Sequence, residues 1–310
     1  MEIIFLGTGG AWGLPEHQCP CATCRHLRAV GQGRGRTSLW IKAPAPILID
    51  PGPDLRAQIV AHDLPRPAAV LITHEHHDHY LGLDELLCYR RNLAPADWRP
   101  LPAYAHPEAW AAIEQRFGYL LPSLLEKRLA LPGQPLEGEP FGPQLLCTPI
   151  KTDHGPVPKG SLGYILEERH PGGAYRLGYT SDMVRTQEPM ALADLDCLVC
   201  QCHFLNEPNH NRAHHLSLQN ALPLLKAWRP GRVFLVHLSC QDTIPGDEPA
   251  NAMLKKYPPA APLVDPAGRP YPIPRDQASW QATVERVLSD HGLGHLPATV
   301  AQDGLRVTLC

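Results

Sequence analysis

Four potential metal ligands fall within the stretch Thr73-His74-Glu75-His76-His77-Asp78-His79, directly after the apolar run Ala69-Val70-Leu71-Ile72. A strand sends successive side chains to opposite faces, so His74 and His76 share a face if the run stays extended into them. Asp78 and His79 come where the pattern turns helical, with Leu81, Leu83, Leu86 and Leu87 supplying apolar positions through Asp84 to Arg91. A strand-to-helix turn of this kind can aim two ligands at one cation and two at a second. Imidazole with carboxylate suits zinc, iron or manganese better than calcium or magnesium. A solvated His-rich loop or a set of core histidines is the bland alternative, and it accounts for a single histidine better than for this spacing.

A second constellation is Cys19-Pro20-Cys21-Ala22-Thr23-Cys24. Three thiols so spaced can converge on one tetrahedral zinc, which needs a fourth ligand. Cys240 is the candidate, since it lies three residues beyond His237 at the end of the apolar run Val233-Phe234-Leu235-Val236. Ten cysteines in a chain of 310 residues, clustered beside histidines, favour metal ligation and free thiols over a disulfide framework. Cys197, Cys200 and Cys202 read as small core residues of a buried strand over Asp196 to His203.

Strand and helix patterns must position these groups. Glu2 to Leu6 reads as a first strand running into the turn Gly7-Thr8-Gly9-Gly10, which lines a cleft and is not a nucleotide phosphate loop, because Gly-Lys-Ser/Thr does not follow. Arg36 to Ile41 and Ile47 to Asp50 form a strand pair, followed by a helix from Leu55 to His62. Pro102 to His106 is a short strand and Glu108 to Leu121 a helix; His106 and Tyr104 are structural. Tyr164 to Glu168 and Ala174 to Tyr179 form a hairpin across Pro171-Gly172-Gly173. Ser217 can cap a helix. The Pro-rich segment 241–295, with a helix over Ala278 to Ser289, can lid the site, pack on a partner subunit or cover a sheet edge. Thr299 to Leu309 is expected to close as a hairpin on an Asp-Gly turn.

His74-x-His76-x-Asp78-His79, with Gly82-Leu83-Asp84 behind it, resembles the signature of the metallo-β-lactamase superfamily. The resemblance implies an α/β fold, an αββα sandwich of two mixed sheets flanked by helices, with a dinuclear metal site at one edge and a single domain over 1–310 carrying an insertion at about 241–295. It also implies the remaining ligands: His154 in Thr152-Asp153-His154-Gly155, a bridging Asp182 in Gly178-Tyr179-Thr180-Ser181-Asp182, and His237. One cation would be held by His74, His76 and His154, the other by Asp78, His79 and His237. His-x-Ser before the capped helix is similar to the family element that delivers a substrate-side histidine, which makes His215 the aligned residue and His214 the alternative. Such a group can protonate a leaving alkoxide, and Asp78 can orient the attacking hydroxide. Cys-x-Cys-x-x-Cys after Gly-Thr-Gly-Gly resembles two branches, the phosphoribosyl cyclic phosphate phosphodiesterases and the pyrroloquinoline quinone biosynthesis protein B group. In the first branch these thiols and a histidine form a structural zinc site, and Cys240 stands where that histidine would be.

Net charge of −3 gives no electrostatic footprint for nucleic acid or membrane, and no apolar 20-residue run or signal-peptide pattern appears. A cytoplasmic protein is expected, with a small-molecule phosphate ester as partner, no nucleic acid, no membrane and a homodimer left open. The expected function is a metal-dependent hydrolase, a phosphodiesterase on a small cyclic or nucleotide-like phosphate ester, using a water activated by two catalytic divalent metals, zinc or manganese with iron also admitted, beside one structural zinc. The alternatives are an iron-dependent redox protein of quinone-cofactor biosynthesis and a thioester or lactam hydrolase on the same scaffold.

Overall fold

Alternating apolar residues in the first strand show how the layers arise: Ile3 and Phe5 point to one face of their sheet, Ile4 and Leu6 to the other, and all four are buried. The computed structural model describes residues 1–247 and 258–309. The strands of the amino-terminal half are β1 (Glu2–Gly7), β2 (Ser38–Lys42), β3 (Pro46–Ile49), β4 (Ala69–Leu71), β5 (Leu101–Ala105) and β6 (Leu125–Leu129). A second set follows: β7 (Leu145–Asp153), β8 (Leu162–His170), β9 (Gly173–Tyr179), β10 (Arg185–Thr186), β11 (Cys197–Gln201), β12 (Val233–Val236) and β13 (Ala298–Val300), after which β14 (Arg306–Thr308) returns to the first. The helices are α1 (Ala22–Val30), α2 (Leu55–His62), α3 (His77–Tyr80), α4 (Leu87–Arg91), α5 (Pro107–Phe117), α6 (Leu218–Trp228) and α7 (Gln277–Asp290).

The sheet orders are β14-β1-β2-β3-β4-β5-β6 and β10-β7-β8-β9-β11-β12-β13. Both are mixed: β3 to β6 pair in parallel, as do β9, β11, β12 and β13, and the remaining neighbours are antiparallel. Ile3, Phe5, Leu39 and Ile41 meet Tyr164, Leu166, Phe234 and Val236 between the sheets. Outside the first sheet, Trp40, Leu48 and Val70 pack on Trp110 and Ile113 of α5; outside the second, Leu198 and Leu235 share a cluster with Leu222 of α6 and Val284 of α7. The result is the expected αββα sandwich. Each fully buried Ile, Leu or Phe contributes about 1.5–3 kcal/mol relative to exposure.

The chain's end departs from the sequence expectation. Residues Thr299 to Leu309 are not a hairpin: β13 runs parallel to β12 in the second sheet, whereas β14 pairs antiparallel with β1 in the first. Asp303 accepts hydrogen bonds from the Thr8 hydroxyl at 2.7 Å and the Gly35 N–H at 2.5 Å, and Gly304 takes φ +82, so the Asp-Gly turn carries the chain from sheet to sheet. The helix expected over Glu108 to Leu121 stops at Phe117 and continues as a 3-10 turn over Gly118–Leu120. Within the 241–295 segment, α7 buries Trp280, Val284, Val287 and Leu288 and covers the β13 edge, while the loop at 258–263 bonds back to Asn206, Glu207 and Asn209. Residues 248–257 of that segment lie outside the described residues. Among the described residues no helix is long and apolar enough to cross a membrane.

Candidate metal centre and cavity

Parallel strands that end at one edge deliver side chains from distant parts of the chain to one place. β4 leads into His74, α3 carries Asp78 and His79, β7 ends beside His154, β9 leads to Asp182 and β12 to His237. All of these except half-buried His76 are buried. His74, His76 and His154 bring ligand atoms within 4.8 Å of one another, as do Asp78, His79, Asp182 and His237. Asp182 lies between: its Oδ2 is 3.1 Å from His237 Nε2, 3.4 Å from His79 Nε2, 3.5 Å from His215 Nδ1 and 3.7 Å from His154 Nε2.

Hydrogen bonds on the other ring nitrogens set these directions. Asp50, at the end of β3 and fully buried, accepts from His79 Nδ1 at 2.8 Å, from the Thr73 N–H and hydroxyl, and from the Tyr179 hydroxyl. Having donated to Asp50, the Thr73 hydroxyl accepts from His74 Nδ1 at 3.0 Å. His154 Nδ1 donates to the His214 carbonyl at 2.8 Å. With those atoms engaged, Nε2 of His74 and His79 face inward, and these atoms and His237 Nε2 are buried without a hydrogen-bond partner. Buried polar atoms are normally satisfied. A cation among them would satisfy all three, and the donor set of imidazoles and carboxylates suits zinc, manganese or iron.

The electrostatics agree. Burial lowers His74 and His154 and takes His76 down to about 4, so these rings are neutral at pH 7 and keep a lone pair. Burial raises the two carboxyls, but His79 beside Asp78, and His237 with His79 beside Asp182, more than offset it and hold both well below the usual range. Burial also disfavours charge on His79, yet Asp78, Asp50 and Asp182 together raise it far above the ordinary imidazole value. Positive charge is favoured at that point, and a bound cation would take the proton's place. Backbone geometry converges here too: Asp50, Ser181, His214 and His237 have φ of 55, 54, 52 and 64, a left-handed conformation costing about 1–3 kcal/mol at such residues.

A cavity of about 400 Å³ opens on the cluster. The Gly10 turn and Pro156 and Val157 of the Gly155 to Gly160 segment line it, with His76, Asp78, His154 and His215. His215 is held by Gln201: the Gln201 Oε1 accepts from the Met183 and Leu216 N–H groups, each at 3.0 Å, which leaves Nε2 to donate to His215 Nδ1 at 2.7 Å. Neutral His215 therefore carries its proton on Nε2. His214, the alternative by one position, also lines the cavity and packs its ring against Gly155, where a Cβ would lie 2.4 Å from His214 Cδ2.

Cys19, Cys21, Cys24 and Cys240 form a separate buried group with sulfurs within 4.8 Å of one another. Cys21 caps α1, accepting from the Cys24 N–H at 3.4 Å, and Cys24 accepts from the Glu16 N–H at 3.3 Å. Hydrogen bonds from Cys24 and Cys240 hold the Cys21 thiol well down, and that from Cys240 takes Cys19 to about 7. The same hydrogen bonds push the other two thiols up, Cys24 through Cys21 and Cys240 through Cys19. A cation would therefore be needed to favour thiolate at all four, and four sulfurs so placed suit a tetrahedral zinc. Cys197, Cys200 and Cys202 are buried in the sheet cores and join no such group among the described residues.

Three contributors escape a reading of the sequence: Asp50, Gln201 and His203, whose ring stacks on His215 at 4.0 Å and whose Nδ1 is 3.1 Å from His237 Nδ1. Each ends or follows an apolar strand, as the ligands do, and that position is the signal that could have found them.

The family model for the beta-lactamase superfamily domain matches residues 46–238. An octanoyltransferase of Porphyromonas gingivalis is 32% identical over 254 residues, 77% of this chain and 46% of that protein, so the chain spans about half the length of this curated relative. Among solved structures, zinc-bound PqqB from Methylobacterium extorquens aligns over 100% of both chains with a TM-score of 0.70 at 21% identity. A diphosphatase from the PhnP family aligns over 99% of this chain and 96% of its own, with a TM-score of 0.66 at 20% identity. At these identities the two structures share the fold.

Proposed function

The chain belongs to the beta-lactamase superfamily of metal-dependent hydrolases, and from that premise we propose that it is a phosphodiesterase acting on a small cyclic or nucleotide-like phosphate ester. The observation that carries the reading is Asp182 Oδ2 among four imidazoles at the floor of a cavity whose wall also holds Arg212. In this reading His74, His76 and His154 hold one divalent cation and Asp78, His79 and His237 a second, with Asp182 between them; zinc or manganese fits, and iron is admitted. Such a pair supplies Lewis acidity at the phosphoryl oxygens and a nucleophilic water at neutral pH. Cys19, Cys21, Cys24 and Cys240 hold a structural zinc.

The chain's own groups do the rest. Asp78 lines the cavity and accepts a hydrogen bond from the attacking water, aligning it with the phosphorus. Arg212 neutralises charge on the non-bridging oxygens. His215 donates a hydrogen bond from Nε2 to the ester oxygen that leaves, steadying the charge that builds there, and Gln201 keeps that tautomer. The water adds to phosphorus and gives up a proton, the ester bond breaks, and that proton passes to the departing oxygen, which leaves as an alcohol.

The resemblance to PqqB supports a redox alternative with iron in the same cage, and the octanoyltransferase relative supports a thioester hydrolase. Metal analysis of protein purified without chelator, with turnover of a generic aryl phosphodiester by wild type and His76→Ala, separates them. Two cations in the His/Asp cage, one in the thiol cage, and turnover reduced to background by His76→Ala are expected. Iron in the cage with no diester turnover, or cleavage of an acyl thioester alone, rejects the phosphodiesterase.

A further inference from the structure

One wall of the cavity is unlike the rest of the molecule. Trp40, Trp110, Trp228 and Trp280 are buried to 3% exposure or less, whereas Trp12 is 57% exposed and lines the cavity. An exposed indole at a cavity mouth leaves a large apolar face in water. Its placement is built. Gly10 donates to the Leu238 carbonyl at 2.9 Å, and a Cβ on Gly10 would meet His203 at 3.0 Å and His237 at 3.4 Å, so the turn presses its backbone on the floor histidines. Gly13, at φ +65, donates back to Gly10 at 2.8 Å and closes the turn with Trp12 at its crest. The indole meets the His77 ring at 5.0 Å and 42°, next to Asp78. Val157, 72% exposed, lines the same cavity, as does Arg212.

We propose that Trp12 is a stacking platform for a planar ring of the substrate, which makes the substrate a phosphate ester bearing an aromatic or heteroaromatic group. The assignment rests on the phosphoester reading for the identity of the anion. The ring lies on the indole, Val157 shields it from water, and the phosphate reaches inward to Arg212 and the His/Asp cluster. A planar group of any kind has a π-face to offer, so the platform selects for a ring and not for one base.

Calorimetric titration of the metal-loaded protein with adenosine 5′-monophosphate and with methyl β-ribofuranoside 5-phosphate, in which a methoxy group replaces the base, tests this. Wild type should bind the first about tenfold more tightly. Trp12→Ala should bring the two affinities together, and Trp12→Phe should keep most of the difference. Equal affinities in wild type, or a preference that survives Trp12→Ala, overturn the platform. Hydrolysis of bis(4-nitrophenyl) phosphate by wild type, a diester that also offers a ring, followed by phosphorus NMR, reads the parent assignment separately. Binding preference without any diester turnover rejects the phosphodiesterase and leaves the platform standing.

Discussion

The two clusters of metal-ligating residues solve opposite problems. The His/Asp cluster draws side chains from the ends of strands in both sheets, and one side of it faces a cavity. The thiol cluster takes three of its four members from one short stretch and the fourth from the loop after β12, and all four sulfurs are buried. A closed tetrahedral set leaves no position for a reactant, whereas an incomplete set beside a cavity does. The supporting groups differ accordingly. Backbone N–H groups of Glu16 and Cys24 serve the sulfurs, while Asp50, Thr73 and the His214 carbonyl orient imidazoles through their far nitrogens. In the proposed reading the thiol set is a fold staple and the His/Asp set an oriented tool.

The largest expected effect breaks the staple. Metal held by four thiolates is worth about 10–16 kcal/mol at neutral pH in small zinc peptides, of the same size as a whole domain's stability of about 5–15 kcal/mol. Cys24→Ser removes one of the four ligands; losing about 3–5 kcal/mol of that should lower the thermal midpoint by about 10 °C, with a smaller effect on turnover per folded molecule. Differential scanning calorimetry beside active-site titration checks it. A variant as stable as wild type with turnover abolished would erase the distinction between the two clusters.

Next comes the support of the tool. Asp50→Asn keeps the size but removes the charge that holds His79 and, through Thr73, His74. Groups of this kind typically change metal affinity or activity by about 10–100-fold, or about 1.4–2.7 kcal/mol. Competition with a graded chelator should show that loss in the His/Asp cage while the thiol cage keeps its metal. Unchanged affinity in the His/Asp cage would mean that backbone geometry alone aims the rings.

The contrast also explains what could be read without coordinates. His74, His76, Asp78 and His79 fall within six residues, and His154, Asp182 and His237 each follow a strand, so ligand type and strand end coincide. Asp50 and Gln201 stand at similar strand ends, but each acts through another side chain, Asp50 on His79 and Gln201 on His215, and no local pattern marks such a partner. Their roles exist only once β3 lies beside β4 and β11 beside β12. The Asp303-Gly304 turn misled for a related reason. Its local chemistry is that of a hairpin, and what decides otherwise is Asp303 bonding Thr8 and Gly35, residues from the far end of the chain.

The smallest effect sharpens the comparison from the staple's side. α1, which starts at the thiol cluster, is tied to α7 where His26 Nε2 meets Asp276 Oδ2 at 2.8 Å. Asp276 also accepts from the Ser279 N–H at 2.8 Å and hydroxyl at 2.6 Å in a capping box. The Ser279 hydroxyl first, then its N–H and His26, lower the Asp276 carboxyl to about 2. An unfolded Asp titrates near ~3.9, so the folded value is depressed: the stabilisation is fully present above that pH and is lost as pH falls toward 2. Asp276→Ala should cost about 1 kcal/mol at pH 7, without altering diester turnover. In urea unfolding series the gap between wild type and Asp276→Ala should be constant above about pH 5 and should narrow below about pH 4. A gap that holds unchanged to the acid limit would show that Asp276 acts by packing and not as a charged cap, and the tie between α1 and α7 would then owe nothing to ionisation.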